Sequence, residues 1–541
     1  MKVQFQCDYC EGAHPRIIER LVQTNMMQTP GYGEDEICAR ARELVKKACD
    51  APNSDVHFLV GGTQTNVTCI SSILKPYQGV LCASSGHIGI HETGAIEHGG
   101  HKVLPLPSED GKISASQIED AVKEHFDDPS FEHMVQPGMV YISYPTERGT
   151  IYSKKELEQI SAVCRKYSLP LYVDGARLGY GLTCSECDLE LKDFARLTDM
   201  FYIGGTKQGA LFGEAVVINN DALKPYFRYY IKQNGGMLAK GRLLGIQFEE
   251  LFRDSLYFDI AREANRLAEK IRVNLKRMGY KFLLDTPTNQ IFVIMENSRI
   301  AKIEDKIGYE FWFNVDADHS AIRFATSWAT TEENVDYLIK VLEETSLDVV
   351  RKVRDFLERN GIWYEIHFHP PLFTIEQALE YWKDIDAVHC KNLFMRNHKG
   401  NRHYMVSFEC HKDLDIHSLE HSLHQGKLSF ASPERMDRCL GLRPGSVSPF
   451  GLINDIGLTD NSGKAKDGVK ESELFENGHR VKLYLDADLR NAERVSFHPC
   501  DNTASVVITH DGLMKFLELW GGEVEWLEIT PAPTAQASAS L

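Results

Sequence analysis

Clustered positive charge is missing from this sequence: its 541 residues hold 60 Lys and Arg against 77 Asp and Glu, a formal net charge of −17. General binders of nucleic acid or anionic membrane need basic patches that displace counterions, so that class is excluded, although a specific RNA substrate is not. Also missing is any run of about 18 apolar residues able to span a bilayer. The opening Met1-Lys-Val-Gln-Phe-Gln-Cys-Asp8 has no apolar signal-peptide core, so a soluble, cytoplasmic protein without membrane partners is expected. The 13 cysteines form no framework of even count and regular spacing, which argues against a disulfide scaffold and for reduced thiols. Two pairs, Cys7-x-x-Cys10 and Cys184-x-x-Cys187, have metal or redox spacing, yet neither stands in a zinc-ribbon or thioredoxin-like context. Internal repeats are absent, as is any Pro/Gly/Ser-rich linker.

What is present is ordinary globular material, 43% hydrophobic and 25% charged, in a chain longer than one hydrophobic core usually supports. Up to about residue 345, short β-rich apolar runs alternate with longer amphipathic stretches, the pattern of a parallel sheet flanked by helices. Candidate strands include Val56–Val60, Met139–Ser143, Pro170–Val173 and Met200–Ile203. A long helix over 257–275 and strands at Tyr280–Leu284, Gln290–Ile294 and Ala321–Phe324 predict a smaller α+β subdomain. Helical sequence over 332–357 carries the chain across an expected boundary, giving domains 1–348 and 349–530 and a disordered tail 531–541. In open α/β sheets ligands bind at the carboxyl ends of strands, which is where chemistry is expected.

Gly61-Gly-Thr-Gln-Thr-Asn66 follows a candidate strand and opens helix-compatible sequence, which gathers backbone N–H groups and a positive dipole end for an anion. Leu171-Tyr-Val-Asp-Gly-Ala-Arg177 ends a strand in an acid, and Phe201-Tyr-Ile-Gly-Gly-Thr-Lys207 ends the next in a lysine. A carboxylate at Asp174 suits a protonated pyridine nitrogen, and Lys207 suits covalent attachment of a pyridoxal phosphate cofactor. Taken singly, Asp174 reads as a helix cap and Lys207 as a solvated loop residue.

At these residues the chain resembles the low-specificity threonine aldolases and β-eliminating lyases, which are fold-type-I pyridoxal phosphate enzymes. The resemblance rests on Gly31-Tyr-Gly-Glu-Asp35, the Gly61–Asn66 segment, His87, Glu92-Thr-Gly-Ala95, Val173–Arg177, Gly205-Thr-Lys207 and Gly235-Gly236. It implies a catalytic Lys207 that carries the cofactor, Asp174 against the ring nitrogen, His87 stacked on the ring, and Gly62, Thr63 and Thr206 on the phosphate. It also implies Arg177, beside the cofactor, and Arg323 as clamps on the substrate carboxylate, a role suited to a guanidinium's parallel donors. Cys7 stands where the family has a serine in substrate contact, and a thiol is the weaker donor. The implied reaction is retro-aldol cleavage of threonine or a related β-hydroxy-α-amino acid to glycine and an aldehyde, with His87 a candidate base. Another β-elimination, or a transamination, is the alternative. A homodimer or homotetramer is implied as well.

Beyond residue 350 there is no metal-ligand set and no nucleophile–base triad, but Cys390-Lys-Asn-Leu-Phe-Met-Arg396, Arg443-Pro-Gly-Ser-Val-Ser-Pro-Phe-Gly451 and Ser496-Phe-His-Pro499 occur in order, after His369-Pro-Pro-Leu-Phe-Thr374. Together they resemble the YbaK/ProX aminoacyl-tRNA deacylases, an α/β family that includes prolyl-tRNA editing proteins. The resemblance implies that Lys391 is essential and holds the terminal nucleotide of a mischarged tRNA. It further implies that Gly445, Ser448 and Pro449 belong to a turn contacting the ester, and that His498 and Asn502 line the pocket. Hydrolysis of an aminoacyl ester asks for positioning, water and carbonyl polarisation more than a strong nucleophile. The stretch from Lys391 to Arg443 is locally positive, which suits an acceptor end. An inactive tRNA-binding or regulatory module is the alternative.

Overall fold

A computed structural model describes residues 2–529, apart from 347, 370, 371, 373, 425, 443 and 461. The tail expected over 531–541 therefore lies outside the described residues, as do Arg443 and part of the His369–Thr374 segment. The chain divides into two compact units, one made of residues up to 339 except 274–280, the other of 274–280 together with 340 onward.

The first unit is built on a seven-stranded sheet: β1 (Asp55–Leu59), β2 (Gln78–Ala83), β3 (Lys102–Leu106), β4 (Gln136–Ser143), β5 (Leu171–Asp174), β6 (Met200–Gly204) and β7 (Glu214–Ile218). The strand order is β1-β7-β6-β5-β4-β2-β3. Strands β3, β2, β4, β5 and β6 run parallel, and β7 is antiparallel to both of its neighbours. Alternate residues feed two separate cores. Val140, Ile142, Leu171, Val173, Phe201 and Ile203 enter one, while Met139, Tyr141, Tyr172, Met200 and Tyr202 enter the other. Covering both faces is what makes these strands read as continuous apolar runs. The flanking helices over 115–127 and 154–166 begin with reciprocal capping boxes, Ser114 with Gln117 and Ser153 with Glu156.

A second, antiparallel sheet in this unit comprises β8 (Lys281–Leu284), β9 (Gln290–Glu296), β10 (Glu310–Asn314) and β11 (His319–Ala325), in the order β10-β11-β9-β8. This is the α+β part expected from sequence. Helices cover Glu332–Ser346 and Asp348–Arg359.

The second unit is a mixed sheet of β12 (Tyr364–Phe368), β13 (Val388–Arg396), β14 (His403–Glu409), β15 (Val481–Asp486), β16 (Arg494–Phe497), β17 (Ala504–Thr509) and β18 (Val524–Leu527). Their order is β12-β17-β16-β13-β14-β15-β18, with Ser429–Phe430 also paired to β13. Its core gathers Val481, Leu483 and Leu485 with Phe516 and Trp520 of the helix His510–Trp520. No helix among the described residues is long and apolar enough to cross a membrane.

Candidate functional site

The carboxyl ends of β4, β5 and β6 open into a cavity of about 290 Å³ lined by Gly62, Thr63, His87, Asp174, Arg177, Thr206 and Lys207. Seven positions singled out along 146 residues of sequence thus meet in one place. The helix α1 (Gly62–Ile73) begins here with Gly61 as its N-cap, and no side chain caps its first-turn N–H groups, which leaves an anion cradle.

Asp174 ends β5 on the same face as Tyr141, Tyr172 and Tyr202. Its Oδ2 accepts hydrogen bonds from the Tyr141 hydroxyl at 2.7 Å and from Asn66 Nδ2 at 3.0 Å. Its Oδ1 accepts from the Tyr202 hydroxyl at 2.5 Å and the Ala176 N–H at 3.0 Å. Burial works to raise the pKa of Asp174, but the His87 imidazole and these hydrogen bonds hold it below the usual carboxylate value. The next residue has to be glycine, because a Cβ at Gly175 would lie 1.9 Å from the Tyr202 carbonyl oxygen. Asn66 is itself oriented by the Tyr172 hydroxyl on Oδ1 (2.9 Å) and donates to Glu92 at 2.7 Å. Glu92 also sits 2.7 Å from His87 Nδ1, so one carboxylate orients two site residues.

Lys207 follows β6, and burial together with the Arg177 guanidinium pushes its pKa below the ordinary lysine value. That shift favours the neutral amine that covalent attachment to an aldehyde requires. The Tyr9 ring also lines the cavity, 5.9 Å from Lys207 Nζ. Arg177 donates from Nε and Nη2 to the two oxygens of Asp8, at 2.6 and 3.0 Å, and Asn289 donates to the same carboxylate at 2.9 Å. Burial opposes the charge on Asp8, yet Arg177 and Lys207 lower its pKa to about 2. Arg323, on β11, donates to Gln290 Oε1 and to the Gln6 carbonyl, both at 3.0 Å. Neither Arg323 nor Cys7 is among the residues lining the cavity; Cys7 Sγ lies 3.4 Å from Cys10 Sγ.

Sequence reasoning missed the tyrosines and two acids, Glu147 and Glu214. A tyrosine at the third position of three of the candidate strands, Tyr141, Tyr172 and Tyr202, was the available signal. Glu147 accepts from Ser143 Oγ at 2.6 Å and from the His87 N–H at 2.8 Å, and burial raises its pKa. Glu214 on β7 accepts from Thr206 Oγ1 at 2.8 Å and from the Gly205 N–H at 3.0 Å. Burial raises its pKa from 4.5 to about 8. Between those values the folded chain holds a proton that the unfolded chain has lost, so stability falls as pH rises through the window. Thermal melts of Glu214→Gln against the parent, from pH 5 to 8, should show a flatter pH dependence in the variant.

The acid–lysine–helix arrangement has the donor set a pyridoxal phosphate needs. With a pyridoxal phosphate bound there, Asp174 would face the ring nitrogen, Lys207 the aldehyde, and the N–H groups of Gly62 and Thr63 the phosphate, whereas Thr206 already donates its hydroxyl to Glu214 and its N–H to the Gly213 carbonyl. Residues 4–298 match the family model for beta-eliminating lyases. The chain belongs to the beta-eliminating lyase family. Its first unit is 30% identical, over 338 residues, to a low-specificity L-threonine aldolase of Pseudomonas sp., covering 61% of this chain and 94% of that one. It also superposes on a threonine aldolase structure from Leishmania major with a TM-score of 0.62 and 45% identity, over 63% of this chain and 99% of that one. The fold is that of the fold-type-I enzymes, and the cofactor of this lyase family is pyridoxal phosphate.

In the second unit, residues 369–516 match the aminoacyl-tRNA editing domain. The prolyl-tRNA editing protein ProX of Acetoanaerobium sticklandii is 32% identical over 185 residues, which is 34% of this chain and 99% of that protein. The family's YbaK/ProX-like domain is therefore present. Lys391 lies on β13 opposite Phe408, its Nζ 3.1 Å from the Lys412 carbonyl oxygen and 3.7 Å from Asp413. Gly445 has φ of +86° and faces Asn502, whose Nδ2 lies 3.9 Å from the Cβ position; only glycine adopts that backbone at little cost. Ser448 accepts from the Phe450 N–H and starts the turn that Pro449 enters. The ring of His498 packs with those of His369 and Trp382, at 6.1 and 6.3 Å, and burial lowers its pKa. Gly445 thus faces Asn502 and the His498 ring packs with that of His369, while Lys391 is held by the strand-end loop at 412–413. In the same loop a carboxylate, a thiol and an imidazole, from Glu409, Cys410 and His411, come within 4.8 Å of one another, a grouping the sequence reading did not single out.

Proposed function

We propose that the first unit cleaves the Cα–Cβ bond of threonine or a related β-hydroxy-α-amino acid, giving glycine and an aldehyde. The observation that carries this reading is the four-fold hydrogen-bonded Asp174 facing Lys207 across one cavity, in a chain 45% identical to a threonine aldolase over that unit. Bound there, pyridoxal phosphate would supply an electron sink for the charge that bond cleavage leaves on Cα. The chain's own residues do the rest. Asp174 stays ionised and supports positive charge on the ring nitrogen. Asp8 orients Arg177 by taking Nε–H and one Nη2–H, which leaves the parallel donors of the Nη1/Nη2 edge for a substrate carboxylate. Fixing that carboxylate selects which bond at Cα is aligned for cleavage. His87, its Nδ1 engaged by Glu92, has Nε2 as the nitrogen that can accept the β-hydroxyl proton.

Arg177→Lys should keep the visible absorbance of bound cofactor and raise KM for threonine by roughly tenfold or more, because a point charge replaces a pre-aligned fork. An unchanged KM would contradict the clamp. Products from threonine, serine and cysteine separate this reading from β-elimination and transamination, with glycine and acetaldehyde expected from threonine.

For the second unit the reading is hydrolysis of mischarged aminoacyl-tRNA, with alanine on a proline tRNA as the expected substrate. Lys391 would hold the terminal nucleotide, and the turn through Gly445, Ser448 and Pro449, with His498 and Asn502, would surround the ester. The match of residues 369–516 to the editing domain supports it. Incubated with that alanyl-tRNA, the parent should release alanine, and Lys391→Ala should be slower by on the order of 100-fold, the scale of losing a charge-assisted contact in a site. Equal persistence of the ester in both proteins would instead make the domain a binding or regulatory module. A homodimer or homotetramer through the first unit is expected by family, and light scattering of the purified chain tests it.

A further inference from the structure

The Cys7-x-x-Cys10 pair is not used by the reaction proposed above. The structure places its two sulfurs 3.4 Å apart, so they need close by little more than an ångström to reach an S–S bond of about 2.05 Å. Cys10 is the exposed cysteine of the thirteen and Cys7 is half-buried, whereas ten others are buried. Burial holds the thiols of Cys38 and Cys82 up at about 12, which makes them poor nucleophiles. The other spaced pair differs: Cys184 is buried and donates to the Gly181 carbonyl, and Cys187 lies 3.2 Å from the Tyr144 hydroxyl.

The two residues between the sulfurs are both part of the site. Asp8 is the carboxylate that aligns Arg177, and Tyr9 lines the cavity beside Lys207. We infer that Cys7 and Cys10 form a reversible disulfide under hydroperoxide, and that this bond weakens substrate binding by displacing Asp8 and Tyr9.

The chemistry balances without a further reactant. The Cys7 thiol loses its proton and attacks the peroxide, giving a sulfenic acid and one water. Cys10 then displaces the sulfenic hydroxyl, which leaves as a second water, and its thiol proton goes with it. Two electrons pass from the sulfurs to the peroxide. Cys10 takes the second role by position, since its sulfur already lies 3.4 Å from Cys7 Sγ. The closed loop holds only Asp8 and Tyr9 between the bridged residues, so shortening the Sγ–Sγ distance must be absorbed by their backbone. Asp8 is buried and bound by Arg177 and Asn289, so any shift reaches the clamp directly.

This rests on the aldolase reading for its functional consequence, but not for the bond itself. The full-length holoenzyme and its Cys10→Ser variant would be given a pulse of hydrogen peroxide, alkylated, digested without reductant and weighed by mass spectrometry. The parent peptide containing both cysteines should lose two hydrogens and escape alkylation. Its KM for threonine should rise on the order of tenfold, the scale of a sub-ångström to ångström misplacement in a site, and dithiothreitol should restore it. The variant should start with the parent's activity and be unaffected by the pulse; Cys10→Ala serves if serine disturbs folding. Both cysteines alkylated after the pulse, or a disulfide with unchanged KM, would overturn the inference. If threonine is not cleaved at all, the dissociation constant for glycine, read from the visible spectrum, replaces KM, so failure of the reaction assignment is told apart from failure of the switch.

Discussion

Lys207→Ala protein should lose the visible band of lysine-bound cofactor and at least about a thousandfold in threonine cleavage, the loss expected when covalent attachment is removed. Lys207 stands three residues past the end of β6, and among the described residues no other lysine lines the cavity. Its pKa is lowered by burial and by Arg177, which favours the neutral amine. Alanine leaves the cavity walls and the Asp174 network in place, which means that the variant should fold and melt close to the parent. Added methylamine, a free amine of similar reactivity, should restore part of the rate. A band and activity that both persist would remove the site assignment.

Asp174→Asn should have the second-largest effect. The carboxylate accepts four hydrogen bonds from Tyr141, Asn66, Tyr202 and Ala176. An amide turns two donors towards groups that are themselves donors, and it removes the negative charge that would face the ring nitrogen of a bound cofactor. Losing one partner of a buried charged pair costs about 3–5 kcal/mol, so kcat/KM for threonine should fall by roughly two to four orders of magnitude. Saturating pyridoxal phosphate should restore occupancy and leave kcat low, since the deficit lies in stabilising charge and not in holding the cofactor. Recovery to the parental kcat under saturation would mean that Asp174 only anchors.

The strand ends were legible because both physical requirements on them are local. Asp174-Gly175 needs an acid where a parallel strand stops and a glycine where the chain passes the Tyr202 carbonyl, and both are visible as a dipeptide. The glycine turn at 61–62 is equally local. Strands β2, β3 and β7 are legible only in part: their apolar runs are short, and the antiparallel direction of β7 depends on pairing with β1 and β6, which no spacing reports. The Asp174 network was not legible, because Tyr141 and Tyr202 read as ordinary β-formers until the register brings them to one face. Nor was the Asp8–Arg177 pair, whose members stand 169 residues apart; the arginine's chemistry suggested a carboxylate partner, but not that the chain supplies one itself. In the second unit the motif residues could be ordered but not placed, since Lys391 and the Gly445 turn are brought to their positions by sheet pairing and a left-handed residue.

The most direct test of the central claim is a product assay of purified full-length protein with L-threonine, run beside Lys207→Ala. Equimolar glycine and acetaldehyde from the parent, with neither above background from the variant, is the predicted result. Ammonia and 2-oxobutyrate in their place would assign the Lys207 cavity to elimination chemistry and contradict Cα–Cβ cleavage.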